Sequence, residues 1–188
     1  MHTHEPFSQS IAALNVEVVP MMQEGCQLFE RIGYHDFNGI VLDETEQEAL
    51  TTAMGADKHT LVLKNHGLLT AGPNVAWAFV RHQLFIRNAE IMLRTMSSGA
   101  QISYIPDEIM RHTREQFEGG AAQAGATVRH PEWPAFWRML DRIDPVQHPP
   151  EGRPFGMPHR GARLRSTAFE LLARMAHDLV RDIADLRA

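Results

Sequence analysis

The segment TLVLKNHGLLTAG, residues 60–72, constrains the fold of this chain more than any other stretch of its sequence. Its apolar run at residues 61–63 is typical of a buried strand. The polar triplet Asn-His-Gly at 65–67 interrupts this run, and apolar residues resume at Leu68. The segment therefore predicts a strand, a polar turn and a second strand.

A long amphipathic helix is predicted directly after these strands, between Asn74 and Ser97. Apolar side chains recur there at intervals of three and four residues, which places them on one helix face. Pro73 suits the first turn of this helix, and Gly99 suits its termination. We therefore expect a strand, a turn, a strand and a helix in direct succession.

Two shorter helices are predicted on either side of this segment. The first is expected to begin with Thr45 as its N-cap, because Glu48 stands at the capping-box spacing, and to end at Gly55. The second is expected to begin with Asp107 as its cap and to end at the two glycines 119–120.

The composition changes near residue 145, where Pro145 closes a further predicted helix. Residues 146–162 are rich in proline and glycine and lack periodicity, which predicts a linker or an extended arm. Residues 163–188 carry one apolar stripe with charges opposite, which predicts an amphipathic helix. We therefore divide the chain into a domain over 1–145, a linker over 146–162 and a C-terminal helical appendage over 163–188.

Three histidines are the candidate metal ligands of this sequence. Residues two apart on an extended strand point to the same face, so His2 and His4 can reach one ion if their segment is a strand. His66, in the predicted turn, is the best third candidate. Neutral imidazoles suit zinc and similar divalent metals, and three protein ligands with one open position are typical of a catalytic site. A chance pair in a polar N-terminal segment is the alternative interpretation of His2 and His4 at this point.

The overall composition argues against several classes of protein. The 188 residues carry a formal net charge of −5, which argues mildly against nucleic acid as the main partner. No apolar run is long enough to cross a bilayer, and the first residues do not resemble a signal peptide. The single cysteine, Cys26, cannot form an internal disulfide and fits a reducing compartment. We therefore expect a cytoplasmic protein with no membrane or nucleic-acid partner.

Three segments carry a family resemblance in their order and spacing: HTHEPFSQSIAALNVEVVPMMQEG, GYHDFNGI and LVLKNHGLLTAG followed by a long helix. Together they resemble the class II aldolase/adducin family over residues 1–145. The resemblance implies an α/β chain with a three-layer α/β/α class II aldolase-like sheet. We expect this sheet to be incomplete at its N-terminal side, because family members carry further residues before the histidine pair. The resemblance also implies a homo-oligomer, a ring-shaped tetramer with active sites between subunits.

The same resemblance implies the identity of the site residues. In enzymes of the family, the histidine pair and the turn histidine hold a divalent metal, usually zinc, and these positions are His2, His4 and His66 here. Manganese or another divalent ion is the alternative. The resemblance also suggests a catalytic role for Tyr34, as a proton donor that one subunit contributes to its neighbour.

The function implied by the resemblance is that of a metal-dependent aldolase-like lyase of carbohydrate metabolism. The expected reaction is retro-aldol cleavage or decarboxylation of a small hydroxy-carbonyl or sugar-phosphate compound. The acid–base residue that the family carries before the histidine pair is expected to be missing, which would impair this activity. Two alternatives stay open: a non-catalytic binding protein like adducin, which joins actin and spectrin, and an inactive truncated remnant.

Overall fold

A computed structural model describes residues 1–40, 44–123 and 133–143 of the chain. The predicted linker 146–162 and the predicted appendage 163–188 lie outside these residues, so the division of the chain stays a prediction. The described strands are β1 (His2–Thr3), β2 (Ile32–His35), β3 (Thr60–Leu63) and β4 (Gly67–Thr70). The described helices are α1 (Pro6–Ala12), α2 (Glu44–Met54), α3 (Val75–Ser97), α4 (Asp107–Gln123) and α5 (Trp133–Ile143), with a short 3-10 helix at Glu24–Leu28.

The four strands form one mixed sheet in the order β1-β4-β3-β2. β3 and β4 are antiparallel partners joined by the turn at 64–66, which confirms the predicted strand, turn and strand. β1 pairs antiparallel with β4 and includes His2 and Thr3, whereas His4 directly follows the strand. β2 pairs parallel with β3 and was not predicted, because its residues IGYH form no apolar run.

Helices cover both faces of the sheet, which gives the three-layer α/β/α arrangement that the resemblance implied. On the α3 face, helices α1 and α3 pack with Val62 and Leu68 around the fully buried Phe85. On the α2 face, helix α2 packs with Leu61 and Leu69. Every residue of β3 is buried, because neighbouring side chains alternate between two covered faces.

The long predicted helix is confirmed as α3, with a correction at its start. Asn74 is the N-cap, and its side-chain oxygen accepts a hydrogen bond from the Trp77 amide at 3.2 Å. Pro73 therefore precedes the cap instead of lying in the first turn. The helix ends before Gly99, whose φ of 68° is the left-handed conformation that glycine adopts without strain.

Three other predicted helix boundaries were wrong, and one of them is the expected cap of α4, because Asp107 is the first residue of that helix. α2 begins at Glu44, so Thr45 lies inside the helix instead of capping it, although Gly55 ends the helix region as expected with a φ of 60°. α4 continues through the glycines at 119–120 to Gln123. A glycine weakens a helix interior by only about 1 kcal/mol relative to alanine, so two glycines need not end it.

Two expectations from composition concern the membrane and the cysteine. No helix in the described ranges combines the length and the apolar character needed to span a bilayer. Cys26 is a free, buried thiol, and its burial raises its pKa. A raised pKa keeps the sulfur protonated at neutral pH and therefore argues against a nucleophilic role.

Candidate metal centre

His2, His4 and His66 come together beside the β3–β4 turn. Their ring centroids form a triangle whose three sides each measure 4.8 Å. One ring nitrogen from each histidine lies within 4.8 Å of the others, and the Nε2 atoms of His2 and His4 are 3.0 Å apart. Nitrogens that share one tetrahedral zinc ion are about 3.3 Å apart, so His2 and His4 already have nearly this spacing, and the His66 ring would have to turn toward them if its separation is the larger one.

The cluster lies on the α2 face of the sheet and is open on one side. His2 pairs with Leu69 across the β1–β4 ladder, and directly opposed residues share a face. His4 is exposed, whereas His2 and His66 are half-buried. The open side leaves room for a further ligand or a substrate oxygen, as catalytic metal sites require.

The β3–β4 turn has a backbone shape that places the His66 ring against β1. Asn65 adopts a φ of 55°, and its amide donates to the Ala12 carbonyl at 2.8 Å. The His66 amide donates to the Leu63 carbonyl at 3.0 Å and closes the turn. The turn is thus held both by α1 and by the end of β3.

Gly67 follows the turn at the point of closest approach between β4 and β1. A Cβ atom at this position would lie 2.6 Å from the Thr3 carbonyl oxygen and 3.0 Å from Cδ2 of His4. Backbone and ring cannot both move away cheaply, so only glycine fits. The Asn-His-Gly triplet therefore combines an unusual backbone angle, a candidate ligand and a close contact in three consecutive residues.

Hydrogen bonding and burial leave His2 and His66 suited to bind a cation. Nδ1 of His2 lies 2.9 Å from the Leu68 carbonyl oxygen, which can only accept, so Nδ1 carries the proton and Nε2 keeps its lone pair. Burial lowers the pKa of His2 to about 4. Burial, followed by repulsion from His4, also lowers the pKa of His66. Neutral imidazoles at pH 7 are the form that binds metal.

A second polar cluster lies directly behind β1, on the α3 face. Nε2 of the fully buried His82 is 2.6 Å from Oγ1 of Thr3, and its Nδ1 is 3.1 Å from Oγ1 of Thr70. Sequence reasoning did not connect His82 with the site. The available signal was that Thr3 alternates with the histidine pair, and therefore points to the opposite face, where α3 packs.

Glu5 follows the histidine pair directly, and its carboxylate caps α1. The carboxylate accepts hydrogen bonds from the amides of Phe7 at 3.1 Å and Ser8 at 2.9 Å. These bonds fix the direction in which the chain leaves His4, and they occupy the carboxylate oxygens with a structural role.

Tyr34 lies on β2, with β3 between it and β4. Its side chain packs on the α3 face, and its hydroxyl accepts a hydrogen bond from the Val18 amide at 2.8 Å. Burial raises the pKa of the phenol. Within one subunit the Tyr34 ring and the histidine cluster therefore lie on opposite faces of the sheet. The predicted catalytic role of Tyr34 was to donate a proton at the site of a neighbouring subunit, and this role stays a prediction.

Comparison with known proteins matches the first half of the chain to a described family. The model of the class II aldolase and adducin N-terminal domain matches residues 1–93. A Pseudomonas aeruginosa protein, named as a class 2 aldolase protein, is 28% identical over 145 residues, which cover 77% of this chain and 56% of the relative. Alpha-adducin of Rattus norvegicus is 28% identical over 173 residues, which cover 88% of this chain and 22% of that protein.

Solved structures give the same result for the fold. An aldolase II superfamily protein from Pseudomonas syringae is similar with a TM-score of 0.62 and 28% identity, over 76% of this chain and 54% of that one. L-fuculose 1-phosphate aldolase from Glaciozyma antarctica is similar with a TM-score of 0.57 and 16% identity, over 76% of this chain and 51% of that one. The chain thus spans about half the length of the bacterial relatives that it matches.

Proposed function

The chain belongs to the class II aldolase and adducin family through residues 1–93, and on this premise we propose that His2, His4 and His66 bind a divalent cation. The observation that carries the proposal is the convergence of three imidazoles around one open position. Zinc is the first choice, because three imidazoles and one open position suit it. Manganese is the alternative, although it is better suited to oxygen ligands.

The proposed activity is that of a metal-dependent aldolase-like lyase acting in the cytoplasm. Its substrate would be a small hydroxy-carbonyl or sugar-phosphate compound, which is cleaved by a retro-aldol step or decarboxylated. A divalent cation supplies Lewis acidity toward a carbonyl oxygen and stabilises the negative charge that develops there. His2 lies on β1, His4 directly follows that strand and His66 lies in the β3–β4 turn, and the exposed side next to His4 would admit the substrate.

Tyr34 would act as the proton donor from a neighbouring subunit of a homotetramer. A phenol is protonated at neutral pH, which is the form that a general acid requires, whereas the burial observed here raises its pKa and makes it a weaker donor than it would be at a more open site. Its present hydrogen bond uses the Val18 amide as donor, so the hydroxyl proton itself stays available for transfer.

A non-catalytic, adducin-like binding protein with an actin-type partner is the second candidate. The observation in its favour is that the alignment with alpha-adducin covers 88% of this chain, against 77% for the Pseudomonas aeruginosa protein. Under this alternative the histidine cluster would be retained without turnover.

Metal analysis of tag-free protein tests the first candidate. We expect about one divalent ion per chain, and loss of that ion in His66→Ala. His112→Ala is the matched control, because His112 is an exposed histidine on α4 outside the cluster. A panel of sugar phosphates and β-keto acids, assayed for release of aldehyde or carbon dioxide, then tests turnover. Metal-free protein that co-sediments with actin would favour the second candidate.

A further inference from the structure

We propose that His82 is a positioning residue for the histidine cluster, which it orients from the opposite face of the sheet through Thr3 and Thr70. The role of His82 rests on the proposed metal centre, and it concerns residues that are not themselves among the three candidate ligands. His82 lies on α3 and contacts both strands of the β1–β4 pair, so it joins three elements behind the cluster.

The hydrogen bonds around His82 have only one consistent direction. The Thr70 hydroxyl donates to the Ala78 carbonyl at 2.9 Å, so Oγ1 of Thr70 must accept from Nδ1–H of His82. A neutral His82 then has its lone pair on Nε2, where it accepts the proton of the Thr3 hydroxyl. Every polar atom of this chain of bonds is satisfied, which is the condition under which a buried network rigidifies its surroundings.

β1 needs such an attachment more than the other strands do. It has two residues, and it lies at one edge of the described sheet. Its ladder consists of the pairs His2 with Leu69 and Thr3 with Leu68. Short edge strands with few ladder pairs open readily, so a side-chain bond from Thr3 to a buried helix restricts the motion of both flanking histidines.

The attachment also fixes the register of β1. Successive strand residues point to opposite faces, so a slip by one residue would turn Thr3 toward the α2 face and the histidines toward the apolar α3 face. The Thr3 bond on one face and the bond from Nδ1 of His2 to the Leu68 carbonyl on the other are formed together only in the observed register. The two bonds thus specify which face carries the imidazoles.

Metal affinity in a set of threonine variants tests this proposal. Thr3→Val keeps the β-branched shape and removes the hydroxyl, whereas Thr3→Ser keeps the hydroxyl. We expect Thr3→Val to weaken Zn²⁺ binding about 10-fold or more, the effect typical of groups that orient metal ligands, and Thr3→Ser to bind as wild type does. Thr3→Ala should weaken binding as Thr3→Val does, and it replaces Thr3→Val if that variant does not fold.

Asn88→Ala is the control for general loss of stability. Asn88 is a fully buried polar residue of the same helix, but its side chain bonds the Met21 amide and the Val19 carbonyl instead of β1. It should lower the melting temperature while the folded protein keeps wild-type Zn²⁺ affinity. In the Co²⁺-loaded protein, the visible absorption bands should change in Thr3→Val and stay unchanged in Asn88→Ala.

The outcomes separate the two proposals. If wild type binds Zn²⁺ and His66→Ala does not, but Thr3→Val binds as well as Thr3→Ser, the positioning role is wrong and the metal centre stands. Equal weakening in Thr3→Val and Asn88→Ala would also overturn the positioning role, because the effect would then be general destabilisation. If wild type binds no divalent metal, both proposals fail.

Discussion

The two faces of the β1–β4 pair carry histidines in opposite chemical situations. On the α3 face, His82 is fully buried, and both of its ring nitrogens are bonded to threonine hydroxyls. On the α2 face, His2 has one nitrogen bonded to a carbonyl, while the other faces the His4 ring beside His66. Burial lowers the pKa of both His82 and His2 to about 4.

The difference shows that burial and a lowered pKa do not by themselves identify a ligand. What distinguishes the two faces is whether the ring nitrogens lie at an open cluster of imidazoles, as Nε2 of His2 does 3.0 Å from Nε2 of His4. His82 uses its lone pair within the protein and supports the strand, whereas the lone pair on Nε2 of His2 is directed to a shared point. One face therefore supports β1, and the other carries the three candidate ligands.

Removing a converging ligand should give the largest effect. We expect His66→Ala to lower Zn²⁺ affinity about 1,000-fold, equivalent to about 4 kcal/mol, because one of three protein ligands is lost. The unfolding of metal-free protein should change little, since the His66 backbone amide closes the turn. Competition with a chelator measures the affinity. Wild-type affinity in this variant would show that His66 is not a metal ligand, and the proposed difference between the two faces would then be wrong.

The second-largest effect is expected from acid, which should destabilise the protein through His82 on the α3 face. The pKa of His82 is about 4 in the folded protein and 6.5 in the unfolded chain, so the unfolded state binds the proton more tightly. The free energy of unfolding of metal-free protein should therefore fall as pH decreases from 6.5 toward 4, by about 3 kcal/mol from this residue. His2, with a similar shift, adds a smaller amount because it is partly exposed.

Urea unfolding of wild type and His82→Gln at pH 7 and pH 4.5 checks this expectation. The variant lacks the titrating ring, so its loss of stability between the two pH values should be smaller than that of wild type. Identical losses in the two proteins would mean that His82 is not held neutral between the threonines.

A smaller loss of stability is expected when a methyl group is added between β1 and β4. Gly67→Ala places a methyl group against the Thr3 carbonyl, and we expect a loss of about 2 kcal/mol in the free energy of unfolding together with weaker metal binding. Gly119→Ala on α4 is the control, because a Cβ at that position meets no atom of the described residues within 4 Å. This control should stabilise the protein by about 0.5–1 kcal/mol. A stable Gly67→Ala variant would show that β1 does not approach β4 so closely.

The smallest expected effect concerns the cap that follows the cluster. Glu5→Ala should lower the free energy of unfolding by about 1 kcal/mol, because the amides of Phe7 and Ser8 lose their acceptor. Glu5→Asp should retain most of the stability, since aspartate is also a good N-cap. Thermal unfolding of the metal-free proteins separates the two variants, and equal melting temperatures in all three proteins would refute the capping role.

The parts of the fold that the sequence predicted are those with a local pattern. The apolar run at 61–63 and the stripe of α3 each occupy one continuous segment, and both elements are present. β2 has no such pattern. Gly33 packs its backbone against α2, so the face of β2 toward α2 has no apolar side chain at this position. Its place in the sheet depends on β3, which lies far away in sequence.

In the candidate site, too, residues with a local pattern could be predicted from the sequence, whereas contacts between distant residues could not. The histidine pair and the turn histidine could be selected from spacing and resemblance, because a strand period and a turn orient them. The bonds among Thr3, Thr70 and His82 join residues up to 79 positions apart, and no local pattern marks them. The requirement for glycine at 67 likewise follows from the packing of β1 on β4, which only the folded chain displays.

Anomalous diffraction at the zinc edge from crystals of the Zn²⁺-loaded full chain tests the central claim most directly. The account predicts one strong peak per chain, within bonding distance of Nε2 of His2 and of ring nitrogens of His4 and His66. A peak bound at other residues, or a Zn²⁺-loaded crystal in which these three rings hold no ion, would contradict it.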